Sequence, residues 1–154
     1  MEIKASTFFT KEQQLQIQDA IKEAEGKTSG EIRVHIETSL SGNVLDRAAW
    51  IFRQIKMHET EDRNGVLFYL AVRNKEFAVI GDAGINSKVP DGFWDVIKNV
   101  LMRNFREGKY SGGIIEGVLM AGRQLQEHFP HSRDDVNELP DDISFEDNEQ
   151  PEKQ

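Results

Sequence analysis

Two strand-like stretches of unlike pattern, separated by an amphipathic helical segment, constrain this chain more than any other feature. From Glu31 to Glu37, Ile32, Val34 and Ile36 alternate with Arg33, His35 and Glu37, the period of a strand with one apolar and one wet face. From Val66 to Val72 no residue is charged, as in a central strand covered on both sides. Between them Leu45, Ala48, Ala49, Phe52 and Ile55 recur at helical spacing, starting from Asn43 as cap and ending near Met57. A strand-helix-strand unit of this kind is expected to pair its strands in parallel through a right-handed crossover. The short turn Arg73-Asn74-Lys75 then leads to the apolar run Phe77 to Ile80, most simply an antiparallel hairpin with the preceding strand. The sheet is therefore mixed and the class α/β.

The flanking segments read as helices. Thr10 with Gln13 three residues on is a capping-box pattern, Ile17, Ala20, Ile21 and Ala24 follow at helical spacing, and Gly26 offers the stop. Pro90-Asp91 opens a further helix with the stripe Phe93, Trp94, Ile97, Leu101 and Phe105, ending at Gly108. Ser111 is the expected cap of the next, which carries Ile114, Val118, Gly122, Leu125 and Phe129 on one face and closes at Pro130. Gly112, Gly113, Gly117 and Gly122 cost that helix about 1 kcal/mol each relative to Ala; close packing against the sheet is the expected compensation.

Charge divides the chain. Its formal net charge is −8 over 154 residues. Residues 134–154 hold nine acids and one lysine, which accounts for all of it and leaves residues 1–133 balanced. A balanced body offers no basic footprint for nucleic acid or anionic lipid. Residues 1–130 are expected to form one domain and residues 131–154 an acidic tail, too poor in large apolar residues to order. Cysteine is absent, which removes disulfides, thiolate metal sites and cysteine nucleophiles. The first residues lack the basic start and apolar run of a secretory signal, and no stretch approaches the ~20 apolar residues of a membrane span. The expectation is a cytoplasmic protein without membrane insertion.

Strand geometry, not a motif, selects the polar residues worth following. If the hairpin turns at residues 73 to 75, antiparallel partners have numbers summing to about 148, so Asp82 falls near Asn64-Gly65. The first strand runs parallel to the second, so Glu31 starts at the same end. With strands about 4.8 Å apart, Glu31, Asp62, Asn64 and Asp82 converge on one rim, an oxygen-rich set suited to a hard cation such as Ca²⁺ or Mg²⁺. Solvated turn formers at strand ends are the plainer reading of the same residues.

Other motifs carry less. Gly81-Asp82-Ala83-Gly84-Ile85-Asn86-Ser87 has glycines that permit unusual backbone or close ligand approach, without being a dinucleotide fingerprint. Gly26-Lys27-Thr28 resembles the end of a P-loop, but Ile21 stands where its first glycine belongs and a helix precedes it. His128 and His131 straddle Pro130 and read as surface residues, His35 lies on the open face of a strand, and His58 is placed to approach the rim.

Four strings in order, Thr28-Ser29-Gly30-Glu31-Ile32, Asn64-Gly65-Val66-Leu67, Gly81-Asp82-Ala83-Gly84-Ile85 and Phe105 to Gly113, resemble the TPM domain family over about residues 8 to 130. The resemblance implies a three-layer α/β/α sandwich around a mixed, mainly parallel sheet, divalent metal binding, calcium in particular, and a weak acid phosphatase activity. It carries the metal role onto Glu31, Asn64 and Asp82. Many relatives place an acid directly before the Asn-Gly pair; here Arg63 stands there, with Asp62 one residue earlier. Three functions follow as expectations: a Ca²⁺ or Mg²⁺ module acting through contacts with another protein, a metal-dependent phosphomonoesterase with Lys88 and Arg103 as available phosphate contacts, and a metal-free interaction domain. No oligomeric state is implied.

Overall fold

The computed structural model describes residues 3–130 and 142–148. In chain order the elements are α1 (Ala5–Phe8), α2 (Lys11–Glu25), β1 (Glu31–Glu37), α3 (Val44–Gln54), a 3₁₀ turn (Met57–Glu59), β2 (Gly65–Ala71), β3 (Glu76–Gly81), α4 (Ala83–Asn86), α5 (Phe93–Arg106), α6 (Tyr110–His128) and β4 (Asp142–Glu146). The sheet order is β3-β2-β1-β4. β1 pairs in parallel with both β2 and β4, and β3 lies antiparallel to β2.

Local chemistry sets the element ends. The Thr10 hydroxyl accepts from the Gln13 amide while the Gln13 side chain accepts from the Thr10 amide, so both orphan donors at the start of α2 are satisfied. Asn43 does the same for α3 by accepting from Leu45 and Asp46. The β2–β3 hairpin pairs Val66 with Gly81, one residue away from the expected register, and the Asp82 amide still reaches the Gly65 carbonyl at 3.0 Å. Ser111 is not a cap: α6 begins at Tyr110, whose ring stacks on Phe105 with centroids 4.9 Å apart and draws the chain into the helix before Ser111 is reached.

Both faces of the sheet are covered, giving a three-layer arrangement. One face sets Ile32, Val34, Ile36, Val66, Phe68 and Leu70 against the apolar stripes of α2, α5 and α6. Each fully buried Ile or Val there contributes about 1.5–3 kcal/mol. The other face sets Leu67, Tyr69, Ala71 and Ala78 against Ala48, Ile51 and Phe52 of α3, with Met57. The glycines of α6 serve three neighbours rather than the sheet alone. Gly117 meets Phe68 of β2, Gly113 meets Phe105 of α5, and a Cβ on Gly122 would stand 2.5 Å from the Ala24 Cβ of α2.

Two expectations are corrected here. β1 has no wet face: His35 is 5% and Glu37 0% exposed, because α3 covers that side and β4 makes β1 an interior strand. The segment 142–148 is not a structureless tail. Ile143 and Phe145 pack on the main core, and beyond β4 Asp147 accepts from the Ser6 amide of α1 at 2.8 Å while the Asn148 side chain accepts from Ser39. Residues 131–141 and 149–154, on which the rest of that expectation falls, lie outside the described residues, as does His131. Among the described residues no helix is long and apolar enough to cross a membrane.

Candidate functional site

The amino ends of β1 and β2 meet the carboxyl end of β3 at one rim, through backbone bonds that follow from strand pairing. The Glu31 amide donates to the Asn64 carbonyl, the Asp82 amide to the Gly65 carbonyl, and the Gly84 amide to the Arg63 carbonyl. Glu31, Asn64 and Asp82 are all buried, at 5%, 1% and 7% exposure, while Asp62 sits on the exposed loop before β2. Gly84 makes the loop contact possible, since a Cβ there would lie 2.1 Å from the Asp62 carbonyl oxygen. That close approach is backbone on backbone, so the glycine serves loop packing.

Each rim side chain has distinct surroundings. Asn64 donates its side-chain amide to the Ser29 hydroxyl at 3.2 Å, and its carbonyl oxygen Oδ1 is buried with no hydrogen-bond partner. Asp82 caps α4 by accepting from the Ala83 amide at 2.7 Å and takes a bidentate contact from Arg63, Nε to Oδ2 at 2.7 Å and Nη2 to Oδ1 at 2.8 Å. Burial alone would raise the Asp82 pKa, but the Arg63 hydrogen bond, the Ala83 amide and the nearby positive charge outweigh it and hold the carboxyl below its usual range. His58 is among the groups that lower it, in line with the expected approach of that histidine to the rim. Arg63 holds this pose from a left-handed backbone, φ 51°, a conformation uncommon outside glycine.

Beside the rim opens a groove of about 400 Å³ lined by Ser29, Asp62, Gly84, Ser87, Lys88, His128, Phe129 and Pro130. Lys88 lies over the Phe129 ring with its ammonium 4.4 Å from the centroid. Arg103, by contrast, faces Glu116 of α6 at 3.7 Å. Of the two expected phosphate contacts, the structure brings only Lys88 to the groove that Asp62 lines.

A second polar cluster lies on the α3 side of the sheet. His35, Glu37 and Glu146 each present a ligand atom within 4.8 Å of the others, the one such group of three His or acid side chains among the described residues. Arg47 of α3 donates Nε to both Glu37 oxygens at 2.7 and 3.0 Å, and Asn148 donates to Glu37 at 3.2 Å. Burial, then the charges of Arg33 and Arg47, push the His35 pKa down to about 4. Burial, then the Glu37 charge, raises that of Tyr69, whose buried hydroxyl lies near Glu37 and Arg47. The sequence held one signal for this cluster, the alternation of Ile143 and Phe145 with Asp142, Ser144 and Glu146, which marks the strand that delivers Glu146.

Comparison with known proteins bears on the family and the fold. A family model described as the TPM domain matches residues 3–124. Among solved structures, that of the BA42 protein from the psychrophilic bacterium Bizionia argentinensis is 45% identical, covers 92% of this chain and 97% of its own, and superposes with a TM-score of 0.85. The N-terminal domain of a protein from P. gingivalis shares 22% identity over 83% of this chain and 85% of its own, TM-score 0.67. The N-terminal domain of the cg2496 protein from Corynebacterium glutamicum shares 15% over 75% and 72%, TM-score 0.61. These last two speak to the fold alone. No curated protein matches.

Proposed function

The chain belongs to the TPM domain family, and from that premise we propose that it is a divalent-cation module, taking Ca²⁺ or Mg²⁺ at the rim of Glu31, Asp62, Asn64 and Asp82 and acting through contact with another protein. The observation that carries this reading is the buried Asn64 Oδ1 without a hydrogen-bond partner. An amide oxygen left unpaired in the interior costs about 1–3 kcal/mol, and a hard cation offset by neighbouring carboxylates is a partner that removes the cost. All four side chains offer oxygen, the chemistry a hard cation takes, but the carboxylates of Glu31, Asp62 and Asp82 do not all lie within 4.8 Å of one another, so an ion would have to draw them together. The bidentate Arg63 on Asp82 is a resident positive charge on the same acid. Its side chain is 52% exposed, so it can leave Asp82 for solvent as a cation takes its place.

The cation's contribution would be charge neutralisation and ordering of the Asp62 to Gly65 and Asp82 to Asn86 loops into a fixed surface. Titration of metal-stripped protein with Ca²⁺ and Mg²⁺, followed through backbone amide NMR shifts, tests this. Saturable shifts centred on Glu31, residues 62–65 and residues 82–86 are expected. Their absence at millimolar cation would leave a metal-free interaction domain.

One observation favours a second reading. Asp62 and Lys88 line the same groove, and an ammonium beside a cation site suits a phosphomonoester, whose phosphoryl group a metal would polarise while lowering the pKa of bound water. Asp82→Asn separates the readings: it weakens cation binding and turnover of a phosphomonoester in an enzyme, cation binding alone in a binding module, and neither in an inert scaffold.

A further inference from the structure

His35 Nε2 lies 3.6 Å from Glu146 Oε2, too far for a hydrogen bond, and is buried with no hydrogen-bond partner in a residue that is 5% exposed. Two ligands on one tetrahedral zinc, each about 2.0–2.1 Å from it, stand about 3.3 Å apart. The pair is therefore spaced to share an ion. Glu37 brings a third ligand atom within 4.8 Å of both. The buried Tyr69 ring packs in the same region, stacked on His35 with centroids 6.2 Å apart.

We propose that His35, Glu37 and Glu146 form a second metal site, for a borderline transition ion of the Zn²⁺ class, on the α3 face of the sheet, and that its metal fastens β4 to β1. The site does not depend on the rim reading. One imidazole nitrogen and two carboxylates suit Zn²⁺ better than Ca²⁺, which prefers oxygen alone. The other ring nitrogen, Nδ1, is 2.6 Å from the Ser144 hydroxyl, which can accept its proton and is thus compatible with the tautomer that leaves Nε2 to bind metal. Glu37 is oriented by Arg47 and Asn148, and a carboxylate with about four lone-pair positions keeps capacity for a metal beside them. The Glu146 side chain is 45% exposed and also faces Arg47 Nη2 at 3.5 Å, so it is the arm that closes over an entering ion. Ser144 and Glu146 both come from β4, so the site is complete only with that strand in place.

The test is Zn²⁺ titration of the full chain, read by imidazole ¹⁵N shifts and calorimetry at pH 7. The expected result is one saturable site with the His35 Nε2 resonance shifted, weakened at least tenfold in Glu146→Gln and lost in His35→Gln, with β4 amides exchanging at least tenfold more slowly in the metal-bound protein. Glu146→Gln sits on the exposed arm, so it reports even if the buried His35 variant does not fold. Absence of a His35 shift at saturating Zn²⁺, shifts confined to His58, His128 or His131, or unchanged affinity in Glu146→Gln would each overturn the proposal and leave a metal-free polar contact between β1 and β4. Failure of Ca²⁺ or Mg²⁺ to shift the rim amides would bear on the rim alone.

Discussion

The Nε of Arg47 donates to both carboxylate oxygens of Glu37, at 2.7 and 3.0 Å, tying helix α3 to a side chain of β1 that has no exposed surface. The pair is asymmetric, because the Arg47 side chain keeps 21% of its surface in solvent and Glu37 keeps none. Removing the guanidinium leaves a charge that water cannot reach. Arg47→Ala is therefore expected to lower the unfolding free energy by about 3–5 kcal/mol in urea denaturation. Combining Arg47→Met with Glu37→Met should recover most of that loss, since the cost lies in the unpaired charge. A loss below 1 kcal/mol in the single variant would mean that Asn148 alone satisfies Glu37.

Arg63 and Asp82 make the opposite case. Here the arginine is the more exposed partner, 52% against 6% for the Asp82 side chain, and solvent screening leaves the contact only a small share of the stability. Arg63→Ala should change stability little while raising the Ca²⁺ affinity of the rim several-fold, because it removes the competing charge from Asp82. Parallel denaturation and amide-shift titration of the variant check both halves. A fall in cation affinity would show that Arg63 organises the rim instead of competing for it.

The contrast between these two pairs also explains what was legible in the sequence. The bounds of β1, the capping box of α2 and the Asn43 cap of α3 were readable because each depends on neighbours within a few residues. The convergence of Glu31, Asn64 and Asp82 at one end of the sheet was readable from strand direction, and its register missed by one residue. The burial of His35 and Glu37 was not, because alternation separates apolar from polar residues without saying which polar ones meet a partner from residue 47 or residue 146. Five residues of strand in an acidic segment, with only Ile143 and Phe145 as apolar anchors, fell below what composition can detect. The Arg63–Asp82 contact rests on a left-handed backbone at Arg63, for which that residue gives no signal.

Gly84→Ala tests the loop packing beneath the rim. The added methyl would stand 2.1 Å from the Asp62 carbonyl oxygen and 2.6 Å from that of Arg63, and backbone atoms cannot swing aside as a flexible side chain can. Overpacking of this kind costs about 1–3 kcal/mol. Amide shifts at residues 62–65 and 82–86 should move well beyond those of a control such as Gly112→Ala, where the nearest heavy atom is 3.9 Å away. Equal, small perturbation in both variants would contradict the close approach.

His35 predicts an acid limb to stability. Its folded pKa is lowered to about 4 from an ordinary 6.5 by burial, with the Arg33 and Arg47 charges adding to it, and Glu37, Glu146 and Tyr69 complete its surroundings. Between those two values the unfolded chain holds the proton and the folded chain does not, so the unfolding free energy rises with pH across that window. The contribution is fully present above about pH 6.5 and is lost as pH falls towards 4, by roughly 3 kcal/mol. Denaturation midpoints at pH 7 and pH 4.5 for the wild type and His35→Gln measure it. The variant should lose less on acidification, and an identical decline in both would place the acid sensitivity elsewhere.

Removal of β4 tests whether the acidic segment belongs to the fold. Chains ending after residue 130 lose the strand that pairs with β1 from Arg33 to Glu37, the packing of Ile143 and Phe145, and the Asp147 contacts to Ser6. Losing two partly buried apolar side chains costs about 2–4 kcal/mol, and the loss also turns β1 into an exposed edge next to a buried carboxylate, a template for pairing with another chain. The truncated protein should therefore unfold at lower urea, exchange its β1 amides faster and self-associate with rising concentration in analytical ultracentrifugation. A solvating tail would leave all three unchanged. Because Glu146 and Ser144 leave with the strand, the same truncation should also abolish the His35 response to Zn²⁺ while sparing the rim's response to Ca²⁺, which separates the two clusters by the elements that build them.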